Sequence, residues 1–208
     1  MKGLFITIEG GDGSGKSTQI KSLKEFLENK GCDVVLTREP GGTLISEEIR
    51  KIILNKSYME MSDMTEALLY AAARAQHVDE FIRPHITAGK MVVCDRYVDS
   101  SIVYQGYARG LGMEAVATIN QYATGGLKPD LTILLQLSAQ EGINRKSSQQ
   151  ALDRLELQKL EFHQKVSEGY EILARNEKER ILIIDATKSV EEIKNIIEMK
   201  IETLMECQ

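Results

Sequence analysis

Short apolar stretches rich in β-branched residues alternate with longer mixed stretches along the chain. The apolar stretches are Leu4–Ile8, Val34–Thr37, Met91–Cys94, Leu131–Leu135 and Ile181–Ile184. Their residues are apolar on consecutive positions, which is typical of strands that are covered on both faces. The order of the segments therefore predicts an α/β fold, a doubly wound parallel five-stranded sheet with helices on both faces.

No feature of the sequence divides the chain into two folding units. It contains no serine- and glycine-rich linker, low-complexity tract or internal repeat. The final stretch, Val190 to Met205, places apolar residues at helical spacing and is predicted to be a packing helix. We therefore expect residues 1–208 to form a single domain with mobile helical insertions.

Composition narrows the possible partners. A net charge of −5 disfavours a broad nucleic-acid-binding surface, because such surfaces need a basic stripe. Cys32, Cys94 and Cys207 lie far apart and match neither a metal site nor a disulfide framework, as in a reducing compartment. No apolar run is long enough for a signal sequence or a membrane span. We expect a cytoplasmic protein that binds neither nucleic acid nor membrane.

The strongest motif, GGDGSGKS at residues 10–17, lies between the first predicted strand and a predicted helix. It matches the P-loop pattern G-x-x-x-x-G-K-[ST]. In such loops, backbone N–H groups surround phosphate at a helix N-terminus, Lys16 reaches the β- and γ-phosphates, and Ser17 ligates Mg²⁺. The predicted nucleotide-binding residues are Gly10, Gly11, Asp12, Gly13, Ser14, Gly15, Lys16, Ser17 and Thr18.

A P-loop is shared by kinases, switch GTPases, motors and partitioning proteins. Guanine-binding proteins usually carry Asn-Lys-x-Asp, and the nearest strings here, at residues 29–32 and 55–58, lack the aspartate. A GTPase is therefore disfavoured.

Charged residues follow two more predicted strands, where open α/β sheets bind ligands. Asp95 could hold the water shell of a metal ion, and Arg96 could bind a phosphate through two parallel hydrogen bonds. The alternative for Asp95 and Arg96 is a surface ion pair. Arg38 closes the second strand and could meet another phosphate, or lie in an ordinary strand-to-helix loop.

Five motifs occur in the order typical of bacterial thymidylate kinases, and the chain resembles that family from Leu4 to about Arg180. The motifs are FITIEGGDGSGKST, TREPGGT, LLYAAARAQH, DRYVDSSIVYQG and LDRLE. The resemblance implies transfer of a phosphoryl group from ATP, with Mg²⁺ as cofactor, to thymidine 5′-monophosphate (dTMP), giving dTDP for dTTP synthesis. It also implies a homodimer, for which the apolar positions around Ala67–Ala75 or Val116–Ile119 could serve.

The resemblance also implies an acceptor pocket. Tyr70 would stack on thymine, and Arg74, one helical turn later, would donate to a base oxygen. Asp12 would accept from the sugar 3′-hydroxyl, and Arg38 and Arg96 would hold the acceptor phosphate. The remaining substrate contacts would be Ser100 and Ser101 near the pyrimidine, Tyr104 crowding the sugar 2′ position, and Gln105.

A lid is expected at residues 142–154. Because Gly13 follows Asp12 in the P-loop, the chain resembles family members whose lid supplies the catalytic cation. Arg154 is the first candidate for that cation and Lys146 the second, acting with Lys16 and Arg96. Arg145 is expected on the adenine side of ATP. The lid has serines and glutamines where related lids often carry arginines.

Two alternatives stay open at this point. The first is another kinase of the same fold, acting on dUMP, a deoxynucleoside or a shikimate-like alcohol. The second is a nucleotide-binding module that has lost catalysis, which the small number of cations in the lid suggests.

Overall fold

The computed structural model describes residues 3–146 and 153–206, with Lys146 described for its backbone only. Its strands are β1 (Phe5–Glu9), β2 (Val34–Arg38), β3 (Met91–Asp95), β4 (Leu131–Gln136) and β5 (Ile181–Asp185). They form one parallel sheet in the order β2-β3-β1-β4-β5. The predicted doubly wound sheet is confirmed, and each predicted strand extends one residue further at its carboxyl end.

Helices connect the strands. They are α1 (Lys16–Asn29), α2 (Leu44–Leu54), α3 (Asp63–His77), α4 (Arg83–Thr87), α5 (Val98–Ser101), α6 (Met113–Thr124), α7 (Ala139–Lys146), α8 (Leu160–Asn176) and α9 (Val190–Glu206). A short 3₁₀ turn, Lys56–Tyr58, precedes α3, and π-helical segments at Val78–Ile82 and Ile102–Ala108 follow α3 and α5. The predicted packing helix at the carboxyl end is confirmed as α9.

The alternation of side chains along each strand divides the core between the two faces of the sheet. Ile6 and Ile8 of β1 pack in the same cluster as residues of α1 and α9, such as Leu27 and Ile201. Phe5, which precedes Ile6 in β1 and points to the opposite face, packs with residues of β3 and the helices beyond. Because both faces are covered, the central strands are apolar at consecutive positions, as the sequence predicted.

The carboxyl ends of β1, β2 and β3 meet at one edge of the sheet. Ile8 pairs with Asp95, and Asp95 also pairs with Arg38. The N–H of Arg96 donates to the carbonyl oxygen of Ile8 at 3.0 Å, which joins the turn after β3 to the strand that leads into the P-loop. The sheet register therefore assembles the predicted phosphate-binding residues at one place. Within the described residues, no helix has the length and apolar character needed to cross a membrane.

Candidate active site

An open cleft of about 650 Å³ lies along this edge of the sheet. Pockets that bind small molecules usually measure about 300–1,000 Å³, so the cleft has the size of a ligand site. Its cationic side chains are Lys16, Arg38, Arg50, Arg74, Arg96 and Arg145. An acidic protein thus concentrates positive charge where phosphates would bind.

Lys16 lies at the start of α1, inside the P-loop. Its ammonium group donates to the carbonyl oxygens of Gly10 and Gly11, at 3.1 and 3.0 Å. Burial and the neighbouring charge of Arg96 lower the pKa of Lys16 to about 8. Gly15 is the N-cap of α1 and lines the cleft, and its φ of 90° is a conformation that glycine adopts readily.

The P-loop and α7 touch through two glycines. A Cβ atom on Gly13 would lie 2.5 Å from the carbonyl oxygen of Gly142, and one on Gly142 would lie 2.4 Å from the carbonyl oxygen of Asp12. Any side chain at position 13, an arginine included, would therefore push α7 away.

Asp95 and Ser17 provide oxygen ligands suited to a hard cation. Asp95 ends β3, and its buried Oδ1 makes no hydrogen bond to any described residue. Ser17 is exposed on the first turn of α1 and lines the same cleft. No group of three or more metal-binding His, Cys, Asp or Glu side chains occurs in the described part of the chain. Two protein ligands fit Mg²⁺, which usually keeps several waters and also binds substrate phosphates.

Arg96 connects the P-loop to the segment that carries Tyr104. Its Nη2 donates to Asp12 Oδ1 of the P-loop at 2.9 Å, and its guanidinium lies 5.2 Å from the centre of the Tyr104 ring. The Arg96 backbone has φ 67°, a left-handed conformation that non-glycine residues rarely adopt. Such strain persists only where surrounding contacts over-determine it, and it often marks a functional position.

Two further arginines, Arg38 and Arg50, line the same cleft as Arg96. Arg38, at the end of β2, binds Glu47 Oε1 at 2.7 Å and remains about half exposed. Arg50 of α2 donates to the carbonyl oxygen of Pro40 at 2.7 Å. Both line the cleft, so Arg38 lies where the sequence placed it, and Arg50 adds a cation that sequence reasoning missed.

Tyr70 and Arg74 both face the cleft from α3, one turn apart. Arg74 is buried, and it donates to Glu39 at 2.6 Å, Ser101 at 3.0 Å, the carbonyl oxygen of Tyr97 at 3.1 Å and the amide oxygen of Asn120. These bonds fix the plane of the guanidinium. Tyr70 is half-buried, and burial raises the pKa of its hydroxyl, which therefore stays neutral.

The sequence predicted four substrate contacts among the residues after β3, and all four line the cleft. Ser100 and Ser101 lie on α5, and Tyr104 and Gln105 lie in the π-helical segment that follows. Gln105 donates to Glu66 at 3.0 Å. The hydroxyl of Tyr104 is buried and makes no hydrogen bond to a described residue.

The predicted lid cations differ in their placement. Arg145, near the end of α7, lines the cleft and donates to the carbonyl oxygen of Ala186, just after β5. Arg154 is buried instead, where it binds Glu66 and donates to the carbonyl oxygen of Ile53 at 2.8 Å. It does not line the cleft, because this pairing holds it against α2 and α3. The side chain of Lys146 and residues 147–152 of the predicted lid lie outside the described residues.

Sequence reasoning missed two buried carboxylates beside the cleft, Glu9 and Glu66. Glu9 ends β1 and binds residues of α5 and α8. Glu66 of α3 binds Gln105, Arg109 and Arg154. The only available signal for Glu9 was a charged residue ending an otherwise apolar strand directly before the P-loop.

A parallel sheet, a P-loop on its central strand and a cationic cleft that extends from the P-loop to α3 together define a P-loop nucleotide kinase. The sequence model of the thymidylate kinase family matches residues 8–197, and the chain belongs to that family of nucleoside monophosphate kinases. A thymidylate kinase of Geobacillus sp. (strain WCH70) is 53% identical over 195 residues, which are 93% of each chain. A thymidylate kinase of Symbiobacterium thermophilum is 50% identical over 202 residues, covering 97% of this chain and 94% of that one.

Proposed function

We propose that this kinase transfers the γ-phosphoryl group of ATP to the 5′-phosphate of dTMP, forming dTDP for dTTP synthesis. The observation that carries the proposal is the ion pair between Arg96 and Asp12, at 2.9 Å. It joins the P-loop, where a triphosphate binds, to the wall that carries Tyr70 and Arg74. A donor phosphate and an acceptor phosphate would therefore meet at Arg96.

The thymine base would lie between Tyr70 and Arg74. An aromatic ring stacks on any base, whereas a guanidinium only donates hydrogen bonds and so favours a carbonyl oxygen. Thymine and uracil present such an oxygen where cytosine presents an amino group. Because Glu39, Ser101 and Asn120 fix its orientation, Arg74 would select against cytosine without having to reorganise.

The sugar would lie between Tyr104 and the P-loop. The Tyr104 ring is packed by the Phe162 and Tyr170 rings, with centroids 6.0 and 6.4 Å away, so it cannot move aside easily for a 2′-hydroxyl. Asp12 would accept from the 3′-hydroxyl, and Ser100 and Gln105 would complete the polar wall. Deoxyribose is the sugar that fits this arrangement.

The acceptor phosphate would bind among Arg38, Arg50 and Arg96. Phosphoryl transfer needs positioning and neutralisation of negative charge more than it needs a strong base. Lys16 and Arg96 would supply charge from the two sides, and a lid cation, Lys146 or Arg154, would supply the rest. A role for Arg154 would require its pair with Glu66 to break. Arg145, beside Ala186, would lie on the adenine side of ATP.

Ser17 and Asp95 would hold Mg²⁺, which would neutralise negative charge on the phosphates of ATP. The Oδ1 of Asp95 is buried without a hydrogen-bond partner among the described residues, which supports this assignment, because such an oxygen otherwise lacks compensation for its lost hydration.

We further propose that residues 1–208 form one kinase domain with a lid at 142–154, and that the enzyme is a cytoplasmic homodimer. Adjacent helices α2 and α3 expose large apolar side chains, namely Leu44, Ile45, Met64 and Leu68. Such a surface suits a partner subunit. Cys32 and Cys94 are free thiols, as expected in a reducing compartment.

The test is a coupled assay of ADP release with ATP–Mg²⁺ and dTMP, dUMP, dCMP, UMP, thymidine or no acceptor. The proposal predicts the highest kcat/KM with dTMP, and poor use of dCMP, UMP and thymidine. The variant Lys16→Met controls for contaminating kinases and should abolish release. A preference for another acceptor would instead identify a different nucleotide kinase, and binding of ATP and dTMP without ADP release would identify an inactive binding module.

A further inference from the structure

Glu9 is a fully buried carboxylate at the carboxyl end of β1, immediately before the P-loop. Its Oε1 accepts from the N–H groups of Tyr97 at 2.7 Å and Ser100 at 3.3 Å. Its Oε2 accepts from the Ser100 hydroxyl at 2.5 Å and the Tyr170 hydroxyl at 2.8 Å. Short bonds of this kind are expected when the acceptor is ionised.

The two hydroxyl groups connect Glu9 to Arg96. Arg96 Nη1 lies 3.3 Å from Ser100 Oγ and 3.4 Å from Tyr170 Oη. A guanidinium can only donate, so both hydroxyl oxygens must turn a lone pair towards Arg96. Each hydroxyl has a single hydrogen. The two hydroxyl oxygens also lie 3.0 Å apart, but the negative oxygen of Glu9 is the stronger acceptor for both hydrogens. The carboxylate therefore sets the direction of both contacts to Arg96.

The same carboxylate also holds the backbone on which Arg96 sits. Tyr97, whose N–H group Glu9 binds, directly follows Arg96 in the chain, and Ser100, whose N–H group it also binds, lies one helical turn further on. The left-handed conformation of Arg96 costs on the order of 1–3 kcal/mol and has to be maintained by neighbouring contacts. Glu9 is thus placed to fix both the turn and the guanidinium head group.

We propose that Glu9 is a positioning residue for the acceptor phosphate, acting through Ser100, Tyr170 and the turn after β3 to hold Arg96 in its binding orientation. This inference rests on the proposed function, in which Arg96 binds that phosphate. Glu9 does not line the cleft, so it would act on the substrate only through the residues it binds.

The negative charge of Glu9 is essential to this role. Glutamine would keep one oxygen for the two N–H groups but would put a donor where Oε2 is. The Ser100 and Tyr170 oxygens would then accept from the amide, and their hydrogens would turn towards Arg96. Protonation of Glu9 would have a similar effect, and burial together with Asp99 raises the pKa of Glu9 to about 7. The other titratable or charged groups around it are Lys16, Cys94, Arg96, Tyr104 and Tyr170.

The experiment compares KM for dTMP, KM for ATP and kcat between wild type and Glu9→Gln at pH 6 to 8. KM for dTMP should rise about tenfold or more in the variant, as expected when hydrogen bonds to a charged group are lost. KM for ATP should change less than about twofold, because Lys16 and the P-loop backbone are untouched. In wild type, KM for dTMP should rise as the pH falls below 7. The rise should be smaller in Glu9→Gln, because in that variant only the dTMP phosphate titrates.

The helix α8 offers a matched control. Tyr107 Oη donates to Glu168 Oε2 at 3.3 Å on the protein surface, so Glu168→Gln and Tyr107→Phe make the same chemical changes away from the cleft. Both should leave every kinetic constant unchanged. Tyr170→Phe removes one of the two links and keeps Glu9, so it should raise KM for dTMP by a smaller factor even if Glu9→Gln does not fold.

An unchanged KM for dTMP in Glu9→Gln or in Tyr170→Phe would overturn the inference. So would equal increases in both KM values with a lowered Tm, which would indicate a structural role only. The wild-type rate with dTMP reports the proposed function separately. If wild type uses another acceptor, the function is wrong, and the comparison of variants is repeated with that acceptor.

Discussion

The guanidinium of Arg154 lies against the carboxylate of Glu66, and each side chain is at most 2% exposed. Arg154 is the last residue of the predicted lid, whereas Glu66 lies in the first turn of α3 and also binds Gln105, which lines the cleft. The pair therefore anchors Arg154 to α3, beside the cleft.

Replacing Arg154 with methionine should lower the free energy of unfolding by about 2–4 kcal/mol, because removing one partner of a buried ion pair leaves the other uncompensated. Arg109, 3.1 Å from Glu66, keeps the loss from being larger. Urea unfolding measures the change. The matched control is Arg175→Met, whose exposed pair with Glu171 should contribute less than about 1 kcal/mol.

Equal losses in Arg154→Met and Arg175→Met would contradict the anchoring role. The turnover number of Arg154→Met separates the two roles of this residue. A fall in kcat without loss of stability would favour the catalytic lid cation.

The hydroxyl of Tyr104 is buried without a hydrogen-bond partner among the described residues. Tyr104→Phe should therefore leave the free energy of unfolding unchanged or raise it by up to about 1 kcal/mol, since the desolvated hydroxyl is removed. In the control Tyr97→Phe, loss of the bond to the Leu127 carbonyl oxygen should cost about 1 kcal/mol. A clear destabilisation by Tyr104→Phe would show that its hydroxyl has a partner in solution.

ATP binding should take up about half a proton at pH 8. Burial lowers the pKa of Lys16 to about 8, so half of the free enzyme carries a neutral amine at that pH, and bound phosphates would restore the charge. Titration calorimetry in two buffers of different ionisation enthalpy measures the uptake. The variant Lys16→Arg should show no proton uptake from this position, because arginine stays charged. Equal proton uptake in wild type and variant would contradict the lowered pKa of Lys16.

Asp95→Asn should raise the Mg²⁺ concentration needed for half-maximal ADP release by about tenfold, because a charged oxygen near the cation is replaced by a neutral one. The measurement is a magnesium titration at saturating ATP and dTMP. The exposed Asp33, which pairs with Lys90 on the surface, provides the control Asp33→Asn. Identical magnesium dependence in the two variants would remove Asp95 from the metal site.

Stability should depend on pH through Glu9. Its pKa rises from 4.5 to about 7 on folding, so the folded protein retains a proton that the unfolded chain releases. The contribution of Glu9 to the free energy of unfolding therefore falls as pH rises from about 4.5 to 7. Glutamine does not titrate, so the stability of Glu9→Gln relative to wild type should increase between pH 5 and 7.5. A constant difference would show that Glu9 titrates normally.

Local patterns predicted the fold well because each signal is local. Consecutive apolar residues mark Met91–Cys94 as a buried strand, and the glycines before Lys16 mark a phosphate loop whatever surrounds them. Arg38, Asp95 and Arg96 could be placed at one site because the carboxyl ends of parallel strands meet at one edge.

Residue roles that depend on distant partners could not be predicted in this way. The position of Arg154 in the chain predicts a lid cation. Its partner Glu66 is 88 positions away, so the sequence does not indicate the pairing. Likewise, no residue near Glu9 in the sequence indicates its hydrogen bond with Tyr170, which is 161 positions away.

The sequence by itself determined where strands and helices alternate along the chain, where the P-loop lies and which polar residues stand at the strand ends. These features follow from the chemistry of neighbouring residues. Only the tertiary structure decided which of the charged residues face the cleft and which are buried against each other. The reason is physical. A buried charge needs a partner, and packing of helices from distant parts of the chain selects that partner.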